Sequence, residues 1–163
     1  MKELFLDHWR KQGKTKVFLR FGRNHLHRGI DRRGVSTLGK FVAELAAAYH
    51  LRAFNVAAFA GGGKIRLLGP PSEFDERGDD PAFAYLASIA RYPATVFDLR
   101  PLRETLHRLP DTKRSPIEES LIYWVNSYDA MIFYREVTPL GAASSTPNKS
   151  LEASRGSAKR RQE

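Results

Sequence analysis

Apolar and polar positions along this chain recur with two periods, and these predict an alternation of helices and strands. Leu4, Phe5, His8 and Trp9 fall on one stripe at helical spacing, with Lys2, Asp7 and Lys11 off it. Met1 to Gln12 is therefore read as an amphipathic helix stopped by Gly13. Lys16 to Phe21 (KVFLRF) is β-rich and mostly apolar, which predicts a short strand buried on both faces, as in a sheet covered by helices. Residues 22–34 form a polar loop punctuated by Gly22, Gly29 and Gly34. Ser36 or Thr37 is then an N-cap, and Leu38, Phe41, Val42, Leu45 and Ala48 mark a helix to about His50. Gly39 and the alanines at 46–48 make one of its faces small, suited to close packing. Arg52 to Phe59 supplies a second strand, and a right-handed crossover makes 16–21 and 53–60 parallel neighbours.

The second half reads in the same way. Gly61-Gly62-Gly63 breaks the chain, Lys64 to Leu68 is strand-like, and residues 69–80 are an acidic Pro/Gly-rich loop. Pro81 to Arg91 is a short helix, Thr95 to Leu99 a strand, and Pro101 opens a helix that ends near Leu109-Pro110. Ser115-Pro116-Ile117-Glu118 is a strong helix start, with Ser at the N-cap, Pro at N1 and Glu at N3, and the helix runs to about Asn126. Ala130 to Tyr134 is a last strand. The expected fold is α/β: a small mixed, partly parallel sheet of about four strands flanked by helices. Residues 1–139 hold this domain. Residues 140–163 have a single Leu after the first position and many Ser, Ala, Lys and Arg, so they are read as a disordered basic tail.

Composition narrows the chemistry. The 163 residues include no cysteine, which excludes disulfides, thiolate metal ligands and a cysteine nucleophile. The net charge is +9, concentrated as +7 in residues 1–34 and +3 in residues 144–163. A basic end attracts nucleic acid or another polyanion, and the plainer alternative is a solubilising surface. No apolar run reaches the roughly 18 residues needed to span a bilayer. The opening MKELFLDHWRKQGK carries acids and a Trp in place of an apolar signal core, so the expected location is the cytoplasm.

The candidate chemistry gathers where the strand 16–21 gives way to Gly22 and then to His25 and His27. Loops at the carboxyl ends of parallel strands are where ligands bind in open α/β sheets. Imidazole is the usual general base and a common metal ligand near neutral pH. An H-x-H pair shares one side only where the chain is extended, so a joint metal site at His25 and His27 requires local extension. Arg28 follows as a candidate to hold an anionic group or a developing oxyanion. The bland reading is a pair of solvated loop histidines among arginines. Gly61-Gly62-Gly63-Lys64 lacks phosphate-loop spacing and is read as a turn. Glu118 and Glu119 are read as helix-capping acids, His50 and His107 as helix ends, and Trp9 and Trp124 as core.

KVFLRFGRNHLHRG, STLGKFVAELAAAYH and FNVAAF together resemble the superfamily that includes erythromycin esterases, the TraB and Tiki proteins, and ChaN-like haem-binding proteins. MKELFLDHW and YDAMIFYREVTP look like segments of its uncharacterised bacterial members. The likeness spans about residues 1–139 and is weak over 60–115. It places Gly22 and His25 on a G-x-x-H motif. The resemblance implies that His25 is an active-site residue that serves acid–base hydrolysis or binds a divalent metal, depending on the branch. His27 is outside the motif. Erythromycin esterases have a further histidine where this chain has Gly22, which points to the Tiki/TraB-like side. Family members also carry a first half, with a second motif and a glutamate, before the segment seen here. The resemblance thus implies a C-terminal half, as a truncated product or a chain that needs a missing N-terminal half or a partner chain, inactive alone if truncated.

Overall fold

The computed structural model describes residues 1–13, 16–66 and 69–139. The tail 140–163, read above as disordered, lies outside the described residues, as do positions 67–68 of the strand-like run after the glycines. The fold is α/β. Its main sheet has three strands in the order β1 (Val56–Ala60), β5 (Ala130–Tyr134), β4 (Ala94–Asp98). β1 pairs with β5 in parallel, Ala58 opposite Ile132, and β4 pairs with β5 antiparallel, Val96 opposite Ile132. A two-stranded ribbon, β2 (Lys64–Ile65) with β3 (Ser72–Glu73), stands apart. Gly63 leads into it with φ +108° and bridges Val137, whose backbone oxygen lies 2.1 Å from where a Cβ would be, so only glycine fits.

One side of the sheet makes the core. Ala57 and Phe59 of β1 and their partners Met131 and Phe133 of β5 are buried, as the period of two requires. They meet Phe83 and Leu86 of α3 (Pro81–Ile89), Leu106 of α4 (Arg100–His107), and Leu121, Trp124 and Val125 of α5 (Pro116–Ser127). Phe59 stacks on Phe83 at 4.6 Å between ring centres. Val56, Ala58 and Val96, on the opposite side, are exposed.

The local signals act as the sequence indicates. Ser115 and Glu118 close a reciprocal capping box at the start of α5. Asp80 caps α3 through Ala82 N, with Pro81 in the first turn. Thr37 caps α2 (Leu38–Ala48). α1 (Lys2–Lys11) packs on α2 through Trp9 and Tyr49, 5.2 Å between ring centres, and through Phe5 and Phe41 at 6.4 Å.

The expected strand at 16–21 does not form. Residues 16–22 have no regular structure and make no ladder; Phe18 is 88% exposed, and Val17 and Phe21 are also exposed. The parallel neighbour of β1 is β5, contributed from the far end of the domain. A β-rich apolar run specifies extended backbone, but burial on both faces needs a vacant place in the sheet. On the side of β1 away from β5 that place is taken by side chains.

Candidate active site

In a β-strand, the N–H and C=O groups of alternate residues face opposite edges. Gly61 N bonds to Tyr134 O, so Ala58 and Ala60 direct their backbone groups to the edge of β1 away from β5. There Ala58 O accepts from Arg23 Nη1 at 3.3 Å, and Ala60 N donates to Glu76 Oε2 at 2.9 Å. Glu76 N returns a bond to Ala60 O at 3.1 Å, and Glu76 Oε1 takes Arg23 Nη2 at 2.6 Å. An ion pair thus occupies the edge at which the sequence predicts a strand. Arg23 begins a 3₁₀ turn, Arg23–His25, held by His25 N to Gly22 O at 2.9 Å.

This turn carries the Gly22–His25 motif over the carboxyl ends of the parallel pair β1 and β5. The result is a cleft of about 540 Å³, with Gly22, Arg23, His25 and Glu76 on one side and Phe59, Ile65, Phe74, Tyr134 and Val137 as its apolar surface. His25 is exposed to it. Glu76 is the cleft's one acid among the described residues, and both of its oxygens are engaged. The cleft's location agrees with the rule for open α/β sheets, although a turn rather than a strand end delivers the histidine.

His27 is placed elsewhere. Leu26 closes the 3₁₀ turn with φ −113° and ψ 13°, so the chain is not extended between the two histidines and their rings do not share a side. His27 is 1% exposed, enclosed by Tyr123, Trp124 and Tyr128 with ring centres 5.2, 5.9 and 5.2 Å away. Ser127 Oγ donates to Tyr123 O at 2.8 Å, which leaves it to accept from His27 Nδ1 at 3.1 Å. Tyr123 Oη lies beside both ring nitrogens, 3.1 Å from Nδ1 and 3.2 Å from Nε2. Burial lowers the His27 pKa, with Arg23 and Arg32 adding to the effect and Asp31 opposing it. The ring is a neutral structural element that joins the loop to α5. His27 O also accepts from Thr37 Oγ1 at 2.5 Å. Gly39 lets α2 approach: a Cβ there would stand 2.3 Å from Leu26 C and O.

Arg28 binds Asp129 and lines neither this cleft nor the smaller one beside it. Asp129, buried, also takes Asn55 N at 2.8 Å and Arg103 Nη2 at 2.9 Å. Burial pushes its carboxyl up, but these donors outweigh the burial and its pKa falls below the ordinary value. Arg103 reaches Val125 O and Tyr128 O as well, so Asp129 ties the histidine loop, the entry to β1 and the end of α5 together.

Arg32 and Arg33 complete the pattern. Arg32 pairs with Asp80 at 2.5 Å and Arg33 with Asp31 at 2.9 Å. All four arginines of loop 22–34 therefore face carboxylates of their own chain. The charge that reads as a basic surface in the sequence is offset locally. Asp80 is buried and also accepts from Ser120, from Ala82 N at 2.9 Å and from Trp124 Nε1 at 3.1 Å. Burial raises its pKa, and these donors with Arg32 bring it below the ordinary value.

A divalent metal needs several convergent donors, and the two histidines lie on different clefts. Among the described residues, no group of three or more His, Asp or Glu side chains gathers as a metal site. The donor set does not fit a metal at His25 and His27 together. Glu76, Asp80 and Tyr123 escaped the sequence reading. Asp80 had a visible signal, an acid directly before a helix-opening proline, whereas Glu76 and Tyr123 are brought in by long-range packing alone. The chain matches no protein-family model, no curated protein and no solved structure.

No described helix is long and apolar enough to cross a membrane.

Proposed function

We propose that the cleft over the carboxyl ends of β1 and β5 is the site of a hydrolase-type reaction on a small ester or amide with an apolar acyl group. The observation that supports this reading is the position of His25: an exposed imidazole at the mouth of an apolar cleft, on the G-x-x-H motif that resembles the esterase superfamily. His25 acts as general base toward water, and the acyl group lies against Phe59, Phe74 and Val137. Arg23, held in place by Glu76 and Ala58 O, is the cation nearest to hand for a developing oxyanion, the role the sequence assigns to Arg28. Arg28 positions the loop through Asp129 instead. Glu76 is engaged by Arg23 and Ala60 N, so the leaving group takes its proton from His25, which has just received one from water.

The test is hydrolysis of 4-nitrophenyl butyrate and 4-nitrophenyl acetate by the full chain and by His25→Ala. The reading requires faster butyrate turnover, lost in the variant. Equal rates for the two proteins overturn it.

A further inference from the structure

The arginines at 23, 28, 32 and 33 each pair with a carboxylate. Four earlier cations do not. Arg10, Lys11, Lys16 and Arg20 are exposed and form no ion pair among the described residues. The sequence accounts for this. No Asp or Glu lies between Asp7 and Asp31, and Asp31 is engaged by Arg33 and by Val35 N. Unpaired cations so close along the chain make a positive surface that the loop arginines no longer supply.

The same stretch exposes apolar side chains. Phe18 is 88% exposed, Val17 41% and Phe21 42%, and Leu19 is half-buried. Exposure among the apolar groups therefore peaks at Phe18, with Lys16 and Arg20 two residues to either side of it. A contiguous apolar patch rimmed by charged groups marks an interaction surface.

We infer that residues 16–21, together with Arg10 and Lys11, dock on an anionic lipid surface. Phe18 enters the boundary between headgroups and acyl chains, and the four cations face the lipid phosphates. A bilayer places its charge at the headgroups and its apolar matter directly beneath, which is the pairing this stretch presents. Each cation held near an anionic bilayer strengthens binding about fivefold. Burial of the phenyl ring adds the apolar part. A single-stranded nucleic acid fits less well, because bases stack on successive aromatic rings, whereas Phe18 is flanked by the aliphatic Val17 and Leu19. None of residues 16–21 lines either cleft, so the inference does not rest on the hydrolase reading.

Sedimentation of the full chain with vesicles of equal parts phosphatidylglycerol and phosphatidylcholine tests this, against vesicles of phosphatidylcholine alone. The chain is expected to sediment with the first and not with the second, and to be released as salt is raised. Lys16→Gln with Arg20→Gln weakens the partition about twentyfold, and Phe18→Ser weakens it about fivefold or more. All three positions are exposed, and equal thermal unfolding shows that the variants are folded. Arg66→Gln with Arg91→Gln removes the same charge from other exposed positions and leaves the partition nearly unchanged. Failure to sediment with the anionic vesicles overturns the proposal. So does equal binding to the two kinds of vesicle, an undiminished partition in Phe18→Ser, or an equal loss in the Arg66 and Arg91 control. Tighter binding to a single-stranded thymidine oligonucleotide than to the vesicles, lost in Phe18→Ser, also overturns it and assigns the patch to nucleic acid.

Discussion

Glu76 and Arg23 replace a strand at the open edge of β1. One carboxylate oxygen takes Ala60 N at 2.9 Å, the other takes Arg23 at 2.6 Å, and Arg23 reaches Ala58 O at 3.3 Å. The pair satisfies edge groups that a neighbouring strand otherwise pairs, and it sets the 3₁₀ turn bearing His25 above the cleft.

Glu76→Gln keeps the shape and removes the charge. It is expected to destabilise the fold by about 1.5–3 kcal/mol, the range for hydrogen bonds to charged groups. Urea unfolding measures this, and a double-mutant cycle with Arg23→Gln yields a coupling of the same sign. Additive effects of the two substitutions contradict the edge role.

Asp129→Ala leaves Arg28 and Arg103 beside a buried site without their carboxylate. A loss of about 3–5 kcal/mol is expected, as for breaking a buried pair. Thermal unfolding of the variant reads it, and a change below 1 kcal/mol counts against the hub role by the same comparison.

Asp80 and Asp129 both have folded-state pKa values below the ordinary carboxylate value. Their contribution is present above the unfolded-state pKa of about 4 and is lost as pH falls through the lower folded-state values. His27 acts in a higher window. Its pKa is lowered in the fold, so the unfolded chain binds its proton first and stability falls as pH drops below about 6.5. Urea titrations at a series of pH values are expected to show both regions. His27→Gln flattens the upper one and leaves the acid one.

Gly39→Ala places a methyl group 2.3 Å from the Leu26 carbonyl, backbone that cannot swing aside as a side chain does. Overpacking of this kind costs about 1–3 kcal/mol. Gly29→Ala, with open space around it, serves as the comparison, and equal stability of the two variants contradicts the contact.

Short-range chemistry is what the sequence made readable. The Ser115-to-Glu118 box and the Thr37 cap act within a few residues and are present, while of the stripe in the first helix Trp9 is buried and Phe5 half-buried, and Leu4 and His8 are exposed. The KVFLRF run was misread because its composition specifies extension but not a partner. Which strand lies beside β1 depends on residues some seventy positions away in β5. The histidines divided for a related reason. His25 stays exposed on the short-range turn where the motif lies, whereas the cage around His27 is built from Tyr123, Ser127 and Tyr128, about a hundred residues later. The arginines of loop 22–34 looked basic because their carboxylates, Glu76, Asp80 and Asp129, are distant in sequence.

The proposed role of His25 is tested most directly by kcat/KM for 4-nitrophenyl butyrate, measured in parallel on the parent chain and on His25→Ala of equal thermal stability. Loss of a general base is expected to lower it by about a hundredfold or more. An unchanged kcat/KM in His25→Ala contradicts the assignment of the cleft over β1 and β5 as the active site.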